Sequence, residues 1–386
     1  MLNVLFKLLL YKSFYHIGFP KLLPMSYTIS LTYECNSRCS TCNVRKKIEN
    51  ANPNRSKYKE LNLEEYKKIF HSLGKSPFWV TFSGGEVFLR KDIIEIVNSF
   101  YDICQPKIIN IPTNGILTHK IVKSIEAICQ HCVKSQIIVN LSIDAIGEQH
   151  DQIRNFNGNY QKALLTLNKL KKISFRENPP PPLPHSKVKK YKNLSVGIHT
   201  VISKFNIDNF AKIANTLMEL KPDQYITEIA EERNELETIG MDITPELIDY
   251  KAAMDFMIHR IKHTNIKKRM NRITQAFRIE YYKLSKAIIR YKKQVIPCYS
   301  GIVSCQISPE GDIWSCCVTG RSLGNLKKSK YNLKYIWKNK KFQNERKLVK
   351  DKKCHCPLAN AAYTNMLLDF KTLYRVFYRS FIKWWN

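Results

Sequence analysis

The stretch Tyr33 to Val44, YECNSRCSTCNV, sets Cys35, Cys39 and Cys42 at C-x3-C-x2-C spacing. Three thiolates on one short loop can hold three corners of a 4Fe-4S cluster and leave its fourth iron without a protein ligand. An open coordination position separates a catalytic from a structural metal site, because a substrate can bind there. The alternative is zinc, which usually takes paired C-x2-C units closed to four ligands. Here the next cysteine, Cys104, lies far down the chain.

The 386 residues, 44% hydrophobic and 25% charged, allow one large domain and a smaller one of ordinary soluble composition. Twelve cysteines with no secretory signal predict a reducing compartment, the cytoplasm. The apolar start, MLNVLFKLLLYK, is broken by lysines and precedes no small-residue cleavage site. No run reaches the roughly eighteen apolar residues of a membrane span. A net charge of +31 would suit nucleic acid, an anionic membrane face or an acidic substrate. Lysine is scattered throughout beside Asn, Ile and Tyr, so a composition bias accounts for most of that charge, the two chain ends excepted.

Along the chain, residues 1–24 read as an amphipathic helix and a loop. Strands are expected at 27–32, 79–82, 108–111, 136–142, 194–202 and 224–229, with helices between them. Asn62 with Glu65 three residues on marks the N-terminus of the first of these helices. One long helix is expected between Asp144 and about Lys171. The proline-then-lysine stretch 177–190 reads as a stiff spacer, and residues 244–294 as basic helices. Such alternation argues for an α/β fold with a parallel sheet and helical crossovers.

Three further signatures fall at carboxyl ends of strands, where ligands gather in βα barrels. They are Ser83-Gly84-Gly85-Glu86, Thr113-Asn114-Gly115, and the run from Ser142 through Asp144 to Arg154. With the cysteine loop, FSGGEVFLR, IPTNG and LSIDAIGEQHDQIR resemble the radical S-adenosylmethionine (radical SAM) family over about residues 26–358. The resemblance implies a partial (β/α)6 TIM-like barrel and a 4Fe-4S cluster on Cys35, Cys39 and Cys42, whose free iron chelates SAM. It implies that the Gly84-Gly85-Glu86 motif binds the SAM ammonium group and that Thr113 and Asn114 sit beside the nucleoside. Ser142 and Asp144 would lie near the ribose or carboxylate, with Arg154 paired to that carboxylate. Asn206 resembles the fifth strand end, and Glu228, Glu231 and Arg233 would face substrate or SAM. The implied chemistry is reductive cleavage of SAM to a 5′-deoxyadenosyl radical that abstracts hydrogen from a C–H bond. Thr41 departs from the family, which usually has an aromatic residue there. Locally, Asn114-Gly115 also reads as a turn and Asp144 as a helix cap.

Further on, Cys298 and Cys316 flank a strand–turn–strand, and Cys354-His355-Cys356 follows. This resembles the SPASM or twitch extension of radical SAM enzymes, a small cysteine-rich β-hairpin and helical extension. By that resemblance Cys298, Cys316, Cys354 and Cys356 hold one auxiliary 4Fe-4S cluster, with Cys305 and Cys317 as alternatives for the first pair. Asn360 stands where another thiol would be expected. Zinc remains a rival in this tail. Cys104, Cys129 and Cys132 read as buried or idle thiols.

The expected division is an amphipathic segment (1–25), a radical SAM barrel (26–235), a basic helical connector (236–296), an iron–sulfur extension (297–360) and a basic aromatic helix (361–386). In that last helix Lys371, Arg375, Arg379 and Lys383 recur every four residues. It would either lie in an anionic membrane interface or dock on the barrel with its aromatics in the core. The expected substrate is a peptide or protein side chain, the alternative a lipid-linked or cell-envelope glycan. A reading from another class is a zinc-stabilised basic protein that binds membrane or RNA. A flavodoxin- or ferredoxin-like electron donor is implied, and peripheral contact with the inner membrane face. Nucleic acid is disfavoured, since no recognised binding module accompanies the charge.

Overall fold

Tyr27, Ile29 and Leu31 are fully buried, while Ser26, Thr28 and Ser30 alternate with them and line an interior cavity. This period of two is that of a strand with an apolar and a polar face. The computed structural model describes residues 2–49, 59–174, 190–264 and 269–381.

Helix α1 (Leu2–Ile17) precedes β1 (Ser26–Thr32); the cysteine loop then leads to a short α2 (Lys46–Glu49) and to α3 (Leu63–Leu73). Strand and helix alternate from there through β2 (Trp79–Gly84), α4 (Ile93–Cys104), β3 (Ile108–Thr113), α5 (Thr118–His131) and β4 (Gln136–Ser142). Next come α6 (Glu148–Arg154), α7 (Asn159–Ile173), β5 (Leu194–Ile202), α8 (Phe210–Glu219) and β6 (Gln224–Ile229). Helices α9 (Leu247–Lys262) and α10 (Arg269–Tyr291) lead to β7 (Ser304–Ile307), β8 (Asp312–Trp314) and β9 (Gly324–Asn325). The chain closes with α11 (Leu333–Lys338), α12 (Lys340–Lys350), α13 (Ala359–Leu368) and α14 (Phe370–Phe381).

The strands form one sheet in the order β6-β5-β4-β3-β2-β1-β7-β8-β9. The first six are parallel and sequential, an open α/β layer rather than a closed barrel. The tail hairpin is not a separate layer. Its β7 pairs in parallel with β1, from Ser26 opposite Ser304 to Ile29 opposite Ile307, and β8 and β9 then run antiparallel. Outside the sheet, Phe70 and Phe82 each meet Phe100 edge-to-face, with ring centroids at 4.9 and 5.4 Å. The capping box opens α3 as read: the Asn62 side chain accepts from Glu65 N at 2.9 Å, and Glu65 accepts from Asn62 N at 2.9 Å.

Two expectations change. The long helix after Asp144 is two helices, because Asn155 and Gly158 both take left-handed backbone, at φ 47° and 75°. The Asp151 carboxylate accepts from Gly158 N and Tyr160 N at 2.6 and 2.7 Å, which starts α7 in a new direction. At the chain end, α14 docks through Thr372, Val376 and Ser380, so its aromatics do not enter the core. Arg375 and Arg379 turn toward buried Glu280, and Lys383 lies outside the described residues. Of the proline-then-lysine spacer, 177–189 also lie outside them.

Candidate active site

The cysteine loop leaves β1 at a register shift between Ser30 and Thr32, which redirects the chain. Neighbouring elements then fix it at several points. Ser40 N donates to Ile153 O at 2.8 Å and Arg38 N to Arg154 O at 3.3 Å, using carbonyls at the end of α6. Asn43 N donates to Leu236 O at 2.8 Å, beyond β6. Asn114, at the end of β3, donates its Nδ2 to Asn36 Oδ1 at 2.7 Å. Its Oδ1 accepts from Ile116 N at 3.0 Å, so the side chain shapes a turn and holds the loop at once.

Gly84 and Gly85 let β2 pass against this loop. A Cβ on Gly85 would fall 2.0 Å from Glu34 O, and Gly84 has φ +121°. Glu86 is buried and spent internally: Thr113 Oγ1 donates to both its oxygens at 2.9 and 3.0 Å, and Asn114 N to Oε2 at 2.8 Å. Burial pushes its carboxyl up to about 7 against these hydrogen bonds.

Arg154 is held by Asp144, Nη2 to Oδ2 at 2.7 Å, and directs Nη1 at Cys39 Sγ from 3.7 Å. Its Nε is buried with no hydrogen-bond partner. Asp144 does not cap a helix with its side chain; Oδ1 accepts from Val201 N at 2.9 Å. Asn206 donates to Asp144 O and Val201 O, both at 2.8 Å, which ties the ends of β4 and β5. Ser142 ends β4 opposite His199. His150 is buried between Asp144 N, which donates to Nδ1 at 3.1 Å, and Asn159 Oδ1, 2.9 Å from Nε2. Burial, with Arg154 nearby, holds its pKa down to about 4, so the ring is neutral.

Burial pushes the Cys35 thiol up to about 11 and Cys42 up to about 12, and the adjacent Cys39 adds to both. Such thiols would release their protons to solvent as iron takes their sulfurs, with Arg154 as the nearby positive charge. In the tail, burial raises Cys298 to about 12 with Cys316 and Cys354 as charged neighbours. Cys356 is raised by burial, then by Glu231, Cys298 and Cys316. The four predicted tail thiols thus share one neighbourhood. Cys317 lies beside it, next to Cys316, whereas Cys305 is buried on β7 with Arg346 as its charged neighbour. No three His, Cys, Asp or Glu side chains among the described residues converge at single-ion distance. Thiolates are the ligands a 4Fe-4S cluster takes, so both thiol sets fit it in donor chemistry. Cys104, Cys129 and Cys132 are buried among apolar side chains, as expected.

A cavity of about 170 Å³ lies between the ends of the cysteine loop, Tyr33 and Val44, and the tail, with Ser30, Ser83 and Gly84 on the sheet side and Cys316, Cys317 and Asn360 on the tail side. Arg233 lines it while hydrogen-bonded to Glu228 and ion-paired with Glu231 at 3.4 Å, and Glu228 also accepts from Ala359 N at 3.2 Å at the start of α13. These acids therefore brace the tail against β6. Sequence reasoning missed Glu235, a half-buried cavity carboxylate bonded to Gln306 and 3.5 Å from Ser30 Oγ. Its only signal was its place in the same acidic run after β6.

Residues 29–217 match the Radical SAM superfamily model, and residues 286–357 match SPASM, an iron-sulfur cluster-binding domain. The chain belongs to the radical SAM superfamily. A radical SAM domain takes a 4Fe-4S cluster and SAM, and a SPASM domain takes auxiliary iron–sulfur clusters, which goes against zinc in the tail. GTP 3′,8-cyclase of Aquifex aeolicus is 33% identical over 135 residues, 32% of this chain and 41% of that protein. The subtilosin biosynthesis protein AlbA of Bacillus subtilis is 27% identical over 148 residues, 38% of this chain and 30% of its own length. The alignments thus span well under half of these curated relatives. SuiB of Streptococcus suis, solved with S-adenosylmethionine, has the same fold at TM-score 0.56 and 15% identity, covering 84% of this chain and 68% of SuiB. The anSMEcpe structure with bound AdoMet reaches TM-score 0.57 at 15% identity, over 94% of this chain and 98% of its own.

Proposed function

We propose that this chain cleaves SAM reductively at Cys35, Cys39 and Cys42 and directs the radical at a peptide or protein side chain held between its two thiol sites. The carrying observation is the cavity that Tyr33 and Val44, at the two ends of the cysteine loop, share with Cys316 and Cys317 of the tail. AlbA is named for bacteriocin biosynthesis, and SuiB has been solved with its precursor peptide SuiA; both favour a peptide substrate. When bound, the cluster and SAM together supply the electron and the 5′-deoxyadenosyl radical. The chain's own residues do the positioning. Asn114 and the carbonyls of Ile153 and Arg154 hold the loop, Arg154 sets a positive charge beside Cys39, and Gly84 and Gly85 open the approach. Glu235, its carboxyl raised by burial, is placed to hold a proton in the cavity. Cys298, Cys316, Cys354 and Cys356 would hold one auxiliary cluster. We assign the protein to the cytoplasm, with a flavodoxin- or ferredoxin-like donor.

The test is anaerobic purification followed by dithionite, SAM and the peptide fraction of a cell extract. Wild type should form 5′-deoxyadenosine and change the mass of a peptide, and Cys39→Ala should lose about four irons and both activities. Full iron and intact cleavage in Cys39→Ala would overturn the cluster assignment. SAM cleavage with every peptide unchanged would overturn the peptide assignment alone.

A further inference from the structure

Helix α14 is docked inside out. It buries Thr372, Val376 and Ser380 and leaves Phe370, Tyr374 and Phe377 at 59%, 69% and 55% exposure, with Tyr378 beside them. Burying one such ring would contribute about 1.5–3 kcal/mol, so a helix that only packed on the protein would turn this face inward. The orientation is fixed from below. Glu280, buried on α10, accepts from Arg379 Nε at 3.0 Å and lies 3.6 Å from Arg375 Nη1.

Helix α1 touches α14 at its start, where Lys12 Nζ stands 3.4 Å from the centroid of the Phe370 ring. Phe6, Leu9 and Ile17, at helical spacing, are exposed there. Isolated exposed apolar residues are ordinary, but rows of them on two helices that touch mark an interaction surface.

Charge selects the occupant. Neither helix contains Asp or Glu, exposed Lys7 and Lys371 flank the aromatics, and the chain carries +31. A second copy would meet this cationic face with the same charge. An anionic lipid surface complements it, with rings at the headgroup level and lysines toward the phosphates. No helix among the described residues is long and apolar enough to cross a membrane, so contact would be peripheral.

We propose that the joint face of α14 and α1 seats this protein on an anionic bilayer surface. Purified full-length protein would be sedimented with vesicles of phosphatidylcholine alone or with 30% phosphatidylglycerol added, at fixed salt. The expected result is binding to the anionic vesicles, and about tenfold weaker partition for the Tyr374→Ser, Phe377→Ser double variant. Both residues are exposed, so circular dichroism should show unchanged melting. Failure of wild type to bind anionic vesicles overturns the proposal. So does equal binding by the double variant, or a wild-type dimer that the same substitutions dissolve. None of these readouts needs iron or SAM, so the outcome is separable from that of the proposed chemistry.

Discussion

Arg154 presents Nη1 to the Cys39 sulfur at 3.7 Å while Asp144 grips its Nη2 at 2.7 Å. A cation fixed beside a metal thiolate favours the form with added negative charge, here the reduced cluster. Arg154→Gln should make the cluster harder to reduce by on the order of 50 mV, roughly a tenfold change for one electron. A redox titration followed by electron paramagnetic resonance reads this directly. An unchanged potential would leave the guanidinium a structural brace.

The tail thiols are separable from the first site. Cys316→Ala should lower bound iron from about eight to about four per chain while 5′-deoxyadenosine still forms from SAM. Iron assay and product chromatography on one preparation check both. Loss of all iron would mean that the two sites assemble together.

Gly85 has no room for a methyl group, since a Cβ there would sit 2.0 Å from Glu34 O, a backbone atom. Gly85→Ala should cost several kcal/mol or displace the cysteine loop. The expected outcome is a lower Tm together with poor iron retention at the first site. A variant that melts and loads like wild type would remove the close-packing argument.

His150 gives a pH dependence. Its folded pKa, about 4, lies below the 6.5 of the exposed ring, so the unfolded chain binds the extra proton between those values. Stability should therefore be fully present above about pH 6.5 and lost as pH falls toward 4, by roughly 3 kcal/mol at most. Urea unfolding across pH 4–7.5 should show this slope, and His150→Gln should flatten it. A slope that survives the substitution belongs to other groups.

Strand positions were legible because each strand carries a clean apolar run followed by a signature at its carboxyl end. The thiol spacing pointed to the first site because Cys35, Cys39 and Cys42 lie within one short loop. Roles that depend on distant partners were not legible. Nothing local says that Glu86 is consumed by Thr113 and Asn114, or that Arg154 is shared by Asp144 and Cys39. The helix break at Asn155 and Gly158 hid behind good flanking periodicity. Which face of α14 turns inward was left open by the sequence because Glu280, the residue that orients it, lies almost a hundred positions away.

Because β7 lies along β1, the strand that delivers the cysteine loop is sandwiched between β2 and the tail. A truncation before residue 297 would strip β1 of that neighbour and leave a raw row of amides and carbonyls beside the first thiols, open to self-association. The front half is thus no free-standing module, and dissecting the enzyme calls for point changes rather than scissors.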